Sequence, residues 1–280
     1  MNIKILSDST CDLSPEQLSA HNIDLARLTV IKNDEGFVDG LTITPADIFA
    51  HVANGGELCS TTANNIGDYS DLFSKYADEY DGVILITIGS GFSSCYQNAC
   101  LAAEDFPNVR VIDSQNLSTG QGLVVLKACE LAKTATDLDA LAEELRAYTA
   151  KVEASFLVDK LDYLVKGGRC SAAAALGANL LNLKPCIEVK DGKMTVVKKY
   201  RGKYEKCLAS YVKERLADRK DLDNGTIFVT QTVIGDDGYA AVLKAVNEYG
   251  KFENIYETTA GCTVSCHCGP GTLGVLFVRK

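Results

Sequence analysis

Val83-Ile84-Leu85-Ile86-Thr87-Ile88, followed by Gly89-Ser90-Gly91-Phe92-Ser93-Ser94, is the stretch on which the fold turns. An exposed-edge strand would alternate apolar and polar residues. This run does not alternate, and it is bounded by glycines, as expected of a central strand covered on both faces of a parallel sheet. A Gly-Ser loop leaves it, and a helix is predicted from about Cys95 to Glu104. Strand, loop and helix in that order make a parallel α/β unit.

The same texture extends outward on both sides. Ile3 to Leu6 reads as a strand leading into the polar turn Ser7-Asp8-Ser9-Thr10. Ser14-Pro15-Glu16-Gln17 carries an N-cap serine, a first-turn proline and a capping-box glutamine. Leu28 to Ile31 is a further predicted strand, and Thr44-Pro45-Ala46-Asp47 repeats the cap pattern for a helix through Val52. Cys59-Ser60-Thr61-Thr62-Ala63-Asn64-Asn65 reads as a polar loop ahead of a helix from about Asp68 to Tyr76. Val109 to Ile112 is the next strand, followed by Asp113-Ser114 and a glycine loop at Thr119-Gly120-Gln121-Gly122. Helices are expected over Leu123–Lys133 and Asp137–Lys151.

Near residue 150 the pattern changes. A strand at Ala154 to Val158 and a short helix at Leu161 to Val165 lead to the breaker Lys166-Gly167-Gly168-Arg169, and a helix is predicted over Ala172 to Leu181. Pro185 to Val189 and Met194 to Lys199, joined by Asp191-Gly192, read as a hairpin, because Asp-Gly suits a type I′ turn. Helix Tyr204–Arg219, strand Ile227–Thr230, helix Gly238–Tyr249 and strands at Asn254–Glu257 and Val275–Val278 complete the chain. The expectation is an α/β protein: a parallel-sheet, Rossmann-like N-terminal domain over residues 1–152 and an α+β C-terminal domain over residues 153–280.

Composition narrows the function classes. With 28 Lys+Arg against 37 Asp+Glu, the 280-residue chain has a formal net charge of −9. Nucleic-acid binding leaves a basic footprint, so that class is excluded, and an anionic membrane surface is disfavoured. Met1 to Asp8 runs directly into polar residues without a signal-peptide apolar core, and no run reaches the length of a membrane span. Eleven cysteines in such a chain read as reduced, cytoplasmic thiols acting mainly as small core residues.

Several polar stretches carry candidate chemistry. Ser93 lies beyond the carboxyl end of the central strand, where open parallel sheets bind ligands, although capping the next helix is an equal claim on it. Thr61-Thr62 adds hydroxyls. Arg169 follows two glycines, and its planar fork can hold a carboxylate through two parallel hydrogen bonds. Arg201, followed by Gly202, has the same character. In Gly261-Cys262-Thr263-Val264-Ser265-Cys266-His267-Cys268-Gly269-Pro270-Gly271-Thr272-Leu273-Gly274 a lone histidine sits among small residues, in what reads as a tight turn before the last strand.

Other readings compete. Ser93, Asp113 and His267 occur in hydrolase order, and Gly91-Phe92-Ser93-Ser94-Cys95 is a nucleophile elbow lacking its last glycine. Cys262, Cys266, His267 and Cys268 could ligate a metal, but they lack the spaced pairs of structural zinc sites. Gly89-Ser90-Gly91 is no dinucleotide fingerprint, and no P-loop is present, so the chain has no recognisable ATP site of its own.

Taken together, these stretches resemble the DegV family of bacterial fatty-acid-binding proteins. Asp8-Ser9-Thr10-Cys11-Asp12-Leu13 is similar to the family's N-terminal motif, and Thr61-Thr62 falls where the family carries Thr-Ser, with Ala63-Asn64 in place of Gln-Pro. Ser90-Gly91-Phe92-Ser93-Ser94-Cys95-Tyr96-Gln97 is similar to Ser-Gly-Leu-Ser-Gly-Thr-Tyr-Gln. Leu161 to Arg169, Lys184-Pro185, Asp191-Gly192, Arg201 and His267 to Gly274 follow in family order. The resemblance implies a long-chain fatty acid buried between two α/β domains, its carboxylate held by Thr61, Thr62, Ser93, Arg169 and His267. Ser94 and Arg201 become further headgroup or kinase-facing residues. It also implies a cytoplasmic, non-catalytic subunit with no metal or cofactor and at most transient membrane contact. Such a subunit presents its ligand to a separate ATP-dependent fatty acid kinase, which makes acyl phosphate for phospholipid synthesis.

Magnitudes fit this division of labour. Burying a dozen methylenes at ~0.8 kcal/mol each gives on the order of 10 kcal/mol before binding costs. Hydrogen bonds to the charged head add roughly 1.5–3 kcal/mol each, less its desolvation. The tail then dominates affinity and the head fixes position.

Overall fold

The computed structural model describes residues 1–175 and 183–280, so most of the helix expected over Ala172–Leu181 lies outside the described residues. Strand β1 (Ile3–Asp8) passes through a 3₁₀ turn, Ser9–Cys11, to helix α1 (Pro15–Ala20). There the Gln17 N–H donates to Ser14 Oγ while Gln17 Oε1 accepts from the Ser14 N–H, closing the capping box that Ser-Pro-Glu-Gln predicts. Strands β2 (Asp24–Ala26), β3 (Thr29–Lys32) and β4 (Glu35–Val38) precede α2 (Pro45–Ala53), which Thr44 caps in the same way. After β5 (Ser60–Thr62) come α3 (Ile66–Tyr76), β6 (Gly82–Thr87), α4 (Cys95–Ala103), β7 (Val109–Asp113), α5 (Thr119–Ala132) and α6 (Leu138–Thr149).

Strands β2-β1-β6-β7 form one parallel sheet, in that order. Every residue of β6 is buried, as its unbroken apolar run requires.

The rest of the chain builds on β8 (Val152–Val158), α7 (Asp162–Gly167), α8 (Ser171–Ala174), β9 (Leu183–Lys190) and β10 (Lys193–Arg201). It continues through α9 (Tyr204–Leu216), β11 (Leu222–Gln231), α10 (Asp236–Tyr249), β12 (Asn254–Thr259), α11 (Cys262–Cys268) and β13 (Thr272–Arg279). A six-stranded sheet runs β10-β9-β8-β13-β11-β12, antiparallel except for the β11–β12 pair. Helix α5 packs against β1 and β6 on one side and β8 and β13 on the other, so a single apolar cluster runs from Ile5 to Val278. Asp191 (φ 50°) and Gly192 (φ 68°) turn the β9–β10 hairpin, both in the left-handed region that a type I′ turn demands.

Strands β2 and β4 have no counterpart in the sequence-based expectation, and the structure departs from it in four further places. Ser60 to Thr62, expected as loop, is strand β5, and it pairs antiparallel with β3 in a small β4-β3-β5 sheet. Three polar residues carry no periodicity, so only the pairing defines that strand. Thr119 to Gly122, also expected as loop, is the buried first turn of α5. An added Cβ at Gly122 would lie 2.8 Å from the Cys11 carbonyl oxygen and 2.9 Å from Leu13 Cδ2, so this glycine serves close packing and not a turn. Gly261 onward is likewise helical, as α11, and α9 stops at Leu216, with Ala217 extended and Asp218 at φ 60°. Among the described residues, no helix is long and apolar enough to cross a membrane.

Candidate functional site

Four separate segments supply the site. Strand β5 carries Thr61 and Thr62, held in register against Val30 and Thr29 of β3. The loop leaving β6 carries Ser93 and Ser94. Arg169 follows Gly168, whose φ of 71° ends α7, and His267 occupies the last turn of α11. All six side chains line one cavity of about 250 Å³, whose apolar wall includes Leu28, Ile88, Phe92, Leu117, Met194 and Val264. Arg201 is not among the lining residues; it is exposed at the end of β10.

The polar contacts join halves of the chain distant in sequence. His267 Nε2 and Thr61 Oγ1 lie 2.8 Å apart. The other ring nitrogen, Nδ1, is buried without a hydrogen-bond partner among the described residues, and a Cβ added at Gly167 would stand 2.6 Å from it. Burial, with a smaller contribution from the Arg169 charge, lowers the His267 pKa to about 4, so the imidazole is neutral at neutral pH. Arg169 Nη1 donates to the Gly167 carbonyl at 2.8 Å and Nε to the Phe92 carbonyl at 3.4 Å. These contacts use two of the five guanidinium N–H donors and tie α7 to the Ser93 loop. Ser93 Oγ accepts from the Cys95 N–H at 3.3 Å, satisfying one orphan donor of α4, and sits 3.1 Å from Cys95 Sγ. Ser93, one residue before the N-cap Ser94, thus both steadies the start of α4 and lines the cavity.

The hydrolase relay is not assembled. Asp113 Oδ2 accepts from Ser90 Oγ at 2.5 Å, and Oδ1 accepts from the N–H groups of Ser90 and Gln115. His267 is paired with Thr61, leaving no Ser93–His267–Asp113 chain. The cysteines around His267 diverge as well. Cys262 and Cys266 enter a small cluster with Val30, Ile43, Ile48 and Cys59, whereas Cys268 joins the main core and is pushed up to about 12 by burial. No group of three or more His, Cys, Asp or Glu among the described residues could hold a metal.

The cavity's apolar wall has no signature in the sequence, because its members come from five elements and loops with no shared periodicity. A second, smaller apolar space of about 30 Å³ lies against Ala154, Phe156 and Leu276. Leu117, Val264 and Cys268 line both spaces, so the smaller one adjoins the larger on the side of the six-stranded sheet.

Residues 2–280 match the family model described as "Uncharacterised protein, DegV family". A DegV domain-containing protein of Clostridium perfringens is 30% identical over 282 residues, covering 99% of each chain. Among solved structures, a DegV family protein from Thermus thermophilus, described for its fatty acid binding, superimposes with a TM-score of 0.90 at 28% identity over 100% of both chains. A stearic acid-binding protein from Eubacterium ventriosum does so with a TM-score of 0.85 at 26% identity, over 99% of this chain and 98% of its own.

Proposed function

The chain belongs to the DegV family, and from that premise we propose that it binds one long-chain fatty acid, with residues 1–152 and 153–280 as the two domains that enclose it. The carboxylate lies among Thr61, Thr62, Ser93, Arg169 and His267, and the tail runs past Leu117, Val264 and Cys268 toward the six-stranded sheet. One observation carries this reading: all five polar residues line the same cavity, which has an apolar wall and adjoins a second apolar space. The fatty-acid-binding descriptions of the Thermus and Eubacterium proteins support it.

The chain's role is then to bury the tail and present the head to a separate ATP-dependent kinase, for an acyl phosphate used in phospholipid synthesis. A carboxylate oxygen would attack the terminal phosphorus of ATP and ADP would leave. In this reading the partner supplies the nucleotide site, and exposed Arg201 is the residue we place toward it.

Denaturing extraction and mass spectrometry of the purified protein is the test, with a stoichiometric C14–C18 fatty acid expected. Arg169→Ala and His267→Ala should lower kinase-dependent phosphorylation more than they lower acyl binding, since burial of the tail supplies most of the affinity. Equal losses in both assays would refute the division between head and tail. A protein that arrives empty and resists loading would refute fatty acid binding itself.

The histidine gives a pH signature. Because its folded pKa of about 4 lies below the unfolded value near 6.5, its contribution to stability is present above pH 6.5 and is lost as pH falls through 4. A carboxylate bound beside it favours the imidazolium, so loading is expected to raise the His267 pKa in an NMR titration. An unchanged value would place the carboxylate elsewhere.

A further inference from the structure

His267 owes its place to α11, and the first backbone N–H groups of that helix are held by carboxylates from the other end of the chain. Asp12 Oδ1 accepts from the Gly261 N–H at 2.9 Å. Asp39 Oδ1 accepts from the Cys262 N–H at 3.0 Å, and Asp39 Oδ2 from the Thr263 N–H at 3.3 Å and the Thr263 hydroxyl at 2.7 Å. A fourth donor, the Ser9 hydroxyl, reaches Asp39 Oδ2 at 2.9 Å while accepting from the Leu28 N–H. Both aspartates are buried, at 8% and 2% exposure. We propose that Asp39 is a positioning residue for the carboxylate site, fixing α11 so that His267, four residues after Thr263, meets Thr61.

The two aspartates are not equivalent. Each Asp39 oxygen faces a backbone N–H, which can only donate. An asparagine there must turn its own NH₂ against one of them in either orientation. Asp12 faces one backbone donor on Oδ1, and its Oδ2 partner is the Ser118 hydroxyl at 2.6 Å, which can reverse and accept. Burial pushes the Asp12 carboxyl up to about 8, consistent with a site that tolerates a neutral group. Asp39 therefore needs both acceptor oxygens, whereas Asp12 needs only one.

The experiment follows the His267 imidazole by ¹⁵N NMR in histidine-labelled, delipidated protein, beside stearate binding; the stearate arm rests on the function proposed above. Asp39→Asn is expected to shift both His267 ring resonances, move their titration toward an ordinary histidine and weaken stearate binding by roughly tenfold, the scale of one lost charge-assisted hydrogen bond. Asp12→Asn should leave the resonances and affinity near wild type. If Asp39→Asn does not fold, Ser9→Ala removes one of the four donors to the same carboxylate and should produce a smaller shift in the same direction. His267 resonances that titrate as in wild type in a folded Asp39→Asn protein, or failing that in Ser9→Ala, overturn the proposal. So does an Asp12→Asn variant as disruptive as Asp39→Asn. Failure of the wild type to take up stearate refutes the proposed function instead, and the imidazole comparison still decides the role of Asp39.

Discussion

Gly91→Ala is expected to open the cavity and strip the protein of most of its proposed ligand. The tip of the β9–β10 hairpin rests on the Gly89–Ser94 loop so closely that a Cβ at residue 91 would fall well inside contact distance of the Gly192 carbonyl oxygen and 3.3 Å from its carbon. Neither atom belongs to a side chain that can swing away, and Gly192 is fixed by the turn at φ 68°. A methyl group there must lift the hairpin or displace the loop. Both carry cavity residues two positions on: Met194 from the hairpin and Ser93 from the loop. Overpacking of this kind costs about 1–3 kcal/mol. In a chain of this size that lowers Tm by several degrees, at roughly 2–4 °C per kcal/mol. Acyl retention should fall roughly tenfold, as for about 1.4 kcal/mol lost from the bound state. A variant with wild-type Tm and full acyl content would show that the hairpin tip does not close the site.

Tyr211→Phe is expected to cost about 3 kcal/mol of unfolding free energy, because one oxygen satisfies three buried groups. The Tyr211 hydroxyl donates to the Ser155 carbonyl at 2.6 Å and accepts from the Val275 N–H at 3.1 Å. With its proton committed, the Ser155 hydroxyl 2.8 Å away acts as donor to it. Tyr211 and Ser155 are fully buried, so no water takes over when the oxygen is removed. By contrast, Tyr200 donates at 2.8 Å to Glu214, a solvent-accessible carboxylate, and Tyr200→Phe should cost no more than about 1 kcal/mol. Urea unfolding with an unchanged m-value is the check; equal losses in the two variants would mean that strands β8 and β13 do not depend on the Tyr211 bridge.

Much of this architecture is written locally. The capping boxes at Ser14 and Thr44, the β6 run and the Asp191-Gly192 turn each depend on residues within a few positions of one another, and each formed where the sequence placed it. Departures occur where local chemistry is ambiguous. Small and polar residues at Ser60–Thr62, Thr119–Gly122 and Cys262–Cys268 look like loop, yet pairing with β3, packing on Cys11 and Leu13, and the Asp39 carboxylate make them strand and helix. Asp39 carries no local signal in the sequence because the α11 groups it holds lie more than two hundred residues away.

By itself the sequence determined most element types, the parallel first sheet and the residue types of the proposed carboxylate site: hydroxyls at Thr61, Thr62 and Ser93, a guanidinium at Arg169 and an imidazole at His267. Tertiary structure decided which of these meet. Thr61, not Asp113, became the partner of His267, across 206 residues of chain. Arg201 fell outside the cavity that Arg169 lines, and Gly167 proved to be the space His267 occupies. Such choices are settled by packing between segments that share no local energy, so no periodicity or spacing along the chain records them.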